Sequence, residues 1–142
     1  FDTVLGRTYS ELAGEARKRS VAGKVQELVE RAQSAEVMGH WSQALTAYRA
    51  ALEVEPGNLK VCILAAKAAL EQGDGGAARE LAEQATRAAP RNGAAQEMLG
   101  VALEALGRKA DAKRALERAL ELDPKLQTAK ERLKKLRWSF LG

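Results

Sequence analysis

Cysteine, histidine, proline and aromatic residues are all scarce in this 142-residue chain, and each scarcity excludes something. Cys62 is the only cysteine, so no internal disulfide can form, which fits a reducing compartment such as the cytoplasm. With one histidine, His40, beside one cysteine, no Cys/His zinc cluster can be assembled. Aromatics make up 4% of residues and β-branched residues are thin, which argues against a sheet-built core. No apolar run approaches the roughly 20 residues of a membrane span, and no signal-peptide pattern is visible. A chain that opens on Phe1 is expected to be a fragment or a trimmed piece of a longer protein. What is abundant is alanine, about one residue in five, with Leu, Glu, Lys, Arg and Gln, all strong helix formers.

The three prolines carry the first positive signal. Pro56, Pro90 and Pro124 each follow an apolar helical run, and each lies 34 residues from the next. Gly39, Gly73 and Gly107 keep the same step, as do Ala44, Ala78 and Ala112, and Ala51, Ala85 and Ala119. A fixed period of this length marks a repeat architecture. Each copy reads as an amphipathic helix ending at a glycine, a short turn, and a second helix ending before a proline, which cannot continue it. The alanine columns mark where antiparallel helices cross closely.

This pattern resembles the tetratricopeptide repeat family, with copies at 25–58, 59–92 and 93–126. The small residue of the first helix falls on Ala32, Ala66 and Gly100, and the aromatic of the second on Tyr48, Ala82 and Leu116. The family's tryptophan is replaced by Leu28, Cys62 and Gln96. The resemblance implies an all-α fold, a right-handed superhelical stack of three helix-turn-helix hairpins with a capping helix at each end. Residues 1–24 are expected to form an N-terminal capping helix or a remnant repeat, with Leu5, Tyr9, Leu12 and Ala16 on one stripe and a Thr8–Glu11 capping box. Residues 127–142 are expected to form a basic C-terminal cap. Repeat 2, with Gly75, Gly76 and Ala82, is expected to be the least protected against hydrogen exchange.

The resemblance also implies a concave groove, lined by first helices, that receives a peptide or partner helix. The matching positions are Gln26, Val29, Gln33 and Glu36 in repeat 1. Repeat 2 supplies Lys60, Ile63, Lys67, Leu70 and Glu71, and repeat 3 supplies Ala94, Glu97, Val101 and Glu104. One family subset grips chaperone-tail carboxylates with a Lys, Asn, Asn, Lys, Arg clamp. Here the matching residues are Val29, Gln33, Leu64, Ala94 and Met98, so that clamp is absent. The groove's mixture of apolar residues and both charges suits an amphipathic helix or a short hydrophobic peptide.

Residues 125–142 carry six basic groups against one acidic, whereas residues 1–124 carry 17 against 18. Lys130, Arg132, Lys134, Lys135 and Arg137 read as a solubilising cap face. The alternative is a tether to nucleic acid, an acidic protein or an anionic membrane. Trp138, Phe140 and Leu141 are candidates for contact with a second copy, a homodimer. Nothing assembles a nucleophile, base or metal shell, so no enzyme and no cofactor is expected; His40 reads as a surface turn residue and Cys62 as a buried apolar one. The reading is a non-catalytic adaptor or scaffold within a larger protein. High Ala and Arg with low Asn and Ile point to a GC-rich bacterial source.

Overall fold

The computed structural model describes residues 3–4 and 6–141; the side chains of residues 3, 4, 7, 140 and 141 fall outside that description. A two-residue hairpin, β1 (Thr3–Val4) and β2 (Arg7–Thr8), turns at Gly6 and leads into seven helices. These are α1 (Tyr9–Val37), α2 (Trp41–Val54), α3 (Leu59–Glu71), α4 (Gly75–Ala88), α5 (Gly93–Ala105), α6 (Lys109–Leu122) and α7 (Gln127–Leu141). Each helix packs on its neighbour in sequence, and α3 also meets α5. The architecture is an all-α helical-repeat superhelix of three stacked hairpins, α1–α2, α3–α4 and α5–α6.

The period is visible in single hydrogen bonds. The turn glycines sit at φ 75, 84 and 77°, in the left-handed region that a side chain disfavours. Their N–H groups donate to Glu36, Leu70 and Glu104 carbonyls at 2.9, 3.0 and 2.9 Å. The next residues, His40, Asp74 and Arg108, donate to Ala35, Ala69 and Leu103 at 2.8, 2.9 and 2.9 Å. This pair of bonds is the Schellman motif, made three times in the same geometry. Between hairpins the chain turns over each proline, with Asn58, Asn92 and Leu126 donating to the carbonyls of Glu55, Ala89 and Asp123. Asn58 and Asn92 then cap α3 and α5, their Oδ1 atoms accepting from Val61 and Ala95 at 3.0 Å. Gly75 and Gly76 occupy the first turn of α4, which Asp74 caps through Ala77 N–H at 2.9 Å.

The alanine columns are fully enclosed: Ala44, Ala78 and Ala112, and Ala51, Ala85 and Ala119, are all at 0% exposure. Gly100 lies against Leu116, whose Cγ would stand 2.8 Å from any Cβ at that position; the earlier copies carry Ala32 with Tyr48 and Ala66 with Ala82 at the matching positions, all fully enclosed. The core is continuous from Val25 to Ala102, and Leu99 joins it to a second cluster of Leu103, Leu116, Ala129, Leu133 and Leu136.

The ends differ from expectation in one respect. Residues 9–24 are helical and begin at the expected capping box, Thr8 Oγ1 accepting from Glu11 N–H while Glu11 Oε2 accepts from Thr8 N–H. The helix does not stop at 24. It runs unbroken to Val37, about 43 Å in all. No residue from 9 to 24 is buried, although Leu12, Gly14 and Glu15 are half-buried and Arg17, Lys18, Val21 and Ala22 line a hollow with Glu55 at the end of α2. Gly14 and Gly23 stay helical, and no glycine with positive φ or proline interrupts the helix. Gly6, which in sequence resembles a helix-ending glycine of an earlier copy, instead turns the small hairpin.

Candidate functional site: a cleft between three first helices

α7 begins one 34-residue step after α5 and takes the place of a fourth first helix. Its Ala129, Leu133 and Leu136 are buried where α5 uses Ala95, Leu99 and Ala102 and α3 uses Val61, Ala65 and Ala68. The columns next to these, about 100° round the helix, carry Lys130, Lys134 and Arg137, all exposed. In α5 the same columns carry Gln96, Gly100 and Leu103; Gly100 lies against Leu116 of α6, and Leu103 clusters with Leu116. The basic residues thus occupy columns that in α5, at Gly100 and Leu103, meet α6. The matching face at the other end of the stack carries Glu27, Arg31 and Ser34, also exposed.

Because α7 continues the row of first helices, it also forms one wall of a cleft. Lys67, Leu70 and Glu71 of α3, Glu97, Met98 and Val101 of α5, and Thr128 and Arg132 of α7 enclose about 400 Å³. Leu70, Met98 and Val101 give an apolar floor. Thr128 Oγ1 bonds Glu97 Oε1 at 2.7 Å, and Arg132 Nη1 lies 3.6 Å from Glu104 Oε2. Five of the groove residues named from sequence, Lys67, Leu70, Glu71, Glu97 and Val101, thus share one site, and Glu104 stands at its edge.

The others are placed elsewhere. Val29 belongs to the core at 7% exposure. Glu36 accepts from the Tyr48 hydroxyl at 2.8 Å, a bond that together with burial raises the phenol above its ordinary range. Gln26 donates to Glu30 on its own helix. Lys60, Gln33 and Ala94 are exposed and Ile63 is half-buried. Lys135 is exposed, and Trp138 is open at 68%. The side chains of Phe140 and Leu141 lie outside the described residues. Of the chaperone-clamp positions, Met98 is buried and Leu64 half-buried. Sequence reasoning missed Met98, Thr128 and Arg132 as cleft residues. The 34-residue step carries Ala94 onto Thr128 and Met98 onto Arg132, and extending it once more reveals them.

Cys62 is fully enclosed, and burial pushes its thiol up, away from the reactive thiolate. His40 is exposed at the start of α2. Among the described residues no three His, Cys, Asp or Glu side chains gather as a metal site, and no helix is long and apolar enough to cross a membrane.

Comparison with known proteins agrees with this geometry. A family model described as Tetratricopeptide repeat matches residues 63–126. No curated protein matches the chain along its sequence. Among solved structures, the first TPR of Spaghetti (RPAP3), bound to an HSP90 peptide, is 23% identical with a TM-score of 0.78, covering 84% of this chain and 95% of that one. The Arabidopsis OM64 TPR domain is 26% identical, TM-score 0.77, covering 84% and 98%. The second TPR domain of human RPAP3, in complex with an HSP70 peptide, is 21% identical, TM-score 0.77, covering 82% and 98%. Residues 63–126 therefore carry the tetratricopeptide repeat, and the chain as a whole has the tetratricopeptide-repeat fold. That class consists of protein–protein interaction modules, generally without catalysis of their own.

Proposed function

We propose that this chain is an adaptor that holds a segment of another protein, a peptide or an amphipathic helix, in the cleft between α3, α5 and α7. The observation that carries the reading is the cleft itself. It is concave, it has an apolar floor of Leu70, Met98 and Val101, and its rim is polar. Such a floor accepts side chains spaced one helical turn apart or at alternate positions of an extended strand. Two of the similar structures hold chaperone peptides. This chain does not share the chemistry for acidic tails, since its clamp positions are Val29, Gln33, Leu64, Ala94 and Met98. The reading includes no catalytic role, and it places the module within a larger bacterial protein.

The test compares partner recovery by the wild-type chain, by Leu70→Asp and by Arg49→Asp on the opposite side of the stack. A partner retained by Arg49→Asp and lost by Leu70→Asp supports the cleft. Equal retention by both refutes it.

Trp138, open among Lys134, Lys135 and Arg137, favours a second reading in which α7 meets an acidic partner, an anionic surface or a second copy. The register of Lys130, Lys134 and Arg137 argues for the cap instead. Binding through them would collapse between low and moderate salt, whereas binding on the apolar floor would change little.

A further inference from the structure

One wall of the cleft is short of cations. Glu97 uses Oε1 to accept from Thr128, but its Oε2 is enclosed and has no hydrogen-bond partner. Glu104 Oε2, two turns further along α5, is enclosed and also lacks a hydrogen bond, with Arg132 at ion-pair distance, 3.6 Å. Of the rim cations, Arg132 is thus matched to Glu104, and Lys67 stands one turn from Glu71 on α3. No cation among the described residues is paired with Glu97. Glu97 as a whole is half-exposed on the cleft lining, so a ligand cation set beside its carboxylate meets a charge that no side chain here matches. A ligand bearing carboxylates instead meets Glu71, Glu97 and Glu104 with like charge.

We infer that the cleft selects a partner helix carrying a leucine-sized anchor with a Lys or Arg beside it, and rejects acidic segments. The anchor fills the floor between Leu70 and Val101, and the cation reaches Glu97. This rests on the cleft-binding reading above and adds the chemical class of the ligand.

The probes are two fluorescein-labelled 16-residue amphipathic peptides with the same leucine positions, one with lysine and one with glutamate on the flanks. Anisotropy is measured at physiological salt against the full chain. The chain's net charge is +4, so long-range attraction favours the glutamate peptide, and a preference for lysine has to come from the cleft. Tighter binding of the lysine peptide is expected. Glu97→Gln should weaken it roughly tenfold, the scale of one charge-assisted hydrogen bond, without weakening the glutamate peptide. Leu70→Asp should abolish binding, and Val101→Asp serves if Leu70→Asp does not fold. Equal affinities, a preference for glutamate, an unchanged Glu97→Gln variant, or no binding of either peptide overturns the inference. If the peptides bind and Leu70→Asp still matters, the cleft reading survives that failure. Binding indifferent to both aspartate variants overturns the cleft reading as well.

Discussion

Alanine is the better helix former, yet replacing Gly100 by alanine should destabilise this protein. A Cβ on Gly100 would stand 2.8 Å from Leu116 Cγ, 3.0 Å from Leu116 Cδ2 and 3.3 Å from the Ala112 carbonyl oxygen. Helix propensity alone favours the change by about 1 kcal/mol. Overpacking opposes it by about 1–3 kcal/mol, because Leu116 is fully enclosed and Ala112 O is backbone, so neither yields cheaply. The net expectation is a loss of about 1 kcal/mol. Gly76 is the control: its Cβ would meet only Asp74 Oδ1 at 3.6 Å, and Gly76→Ala should stabilise by roughly 0.5–1 kcal/mol. Leu116→Ala alone should cost about 2–5 kcal/mol through the cavity it leaves. The double variant Gly100→Ala/Leu116→Ala recreates the Ala66–Ala82 pairing of the middle hairpin. It should be less unstable than the sum of the single changes by about 1–2 kcal/mol. Urea unfolding followed by far-ultraviolet circular dichroism measures all four variants. A Gly100→Ala protein as stabilised as Gly76→Ala, or a strictly additive double variant, would refute the close approach of α5 and α6.

Three further outcomes follow from described contacts. Asn92→Ala removes the acceptor for Ala95 N–H and should cost about 1 kcal/mol in the same urea assay, while Arg108→Ala, which removes no side-chain cap, should cost less. The folded state holds the Tyr48 proton more firmly than the unfolded chain does, through burial first and Glu36 second. That stability is complete below the ordinary tyrosine value and is lost as pH climbs above it, so Tyr48→Phe should flatten the fall in melting temperature expected as pH rises above about 10. Hydrogen exchange should be fastest in residues 9–24, none of which is buried. It should be slow in α3, where Val61, Cys62, Ala65, Ala66, Ala68 and Ala69 are enclosed, and Cys62 should resist thiol reagents until that hairpin opens. Slow exchange in 9–24, or rapid labelling of Cys62 in the folded protein, would contradict this.

The exchange expectation reverses the order suggested by composition, and the reason is instructive. Gly75 and Gly76 look like a defect when read as helix interior, but they form a capped first turn, and a Cβ on Gly75 would meet Leu106 Cδ2 of the next hairpin at 3.0 Å. What was legible in the sequence was whatever a local backbone demand imposes: the left-handed glycines, the helix-ending prolines, the Thr8–Glu11 box. Asn58 and Asn92 share the same 34-residue step and were readable on the same grounds. The cleft was half legible. Val29 stands two 34-residue steps before Glu97, in the same column, yet is buried in the core at 7% exposure. Arg132 and Thr128 were hidden because the charge of residues 125–142 reads as one basic block, whereas the structure divides it between a cap face and a cleft wall. The fusion of residues 9–24 with the first hairpin had no local marker, since a helix continues wherever nothing stops it.

Hairpins that stack by translation have a latent hazard: the surface that receives one neighbour can receive another molecule's, and head-to-tail contact without closure grows into a fibre. Lys130, Lys134 and Arg137 at one extremity, and Glu27, Arg31 and Ser34 at the other, set charged and polar groups where such growth would begin. Exchanging the three basic residues for leucine should therefore turn a finite particle into one whose mass rises with concentration, without altering a single contact inside it.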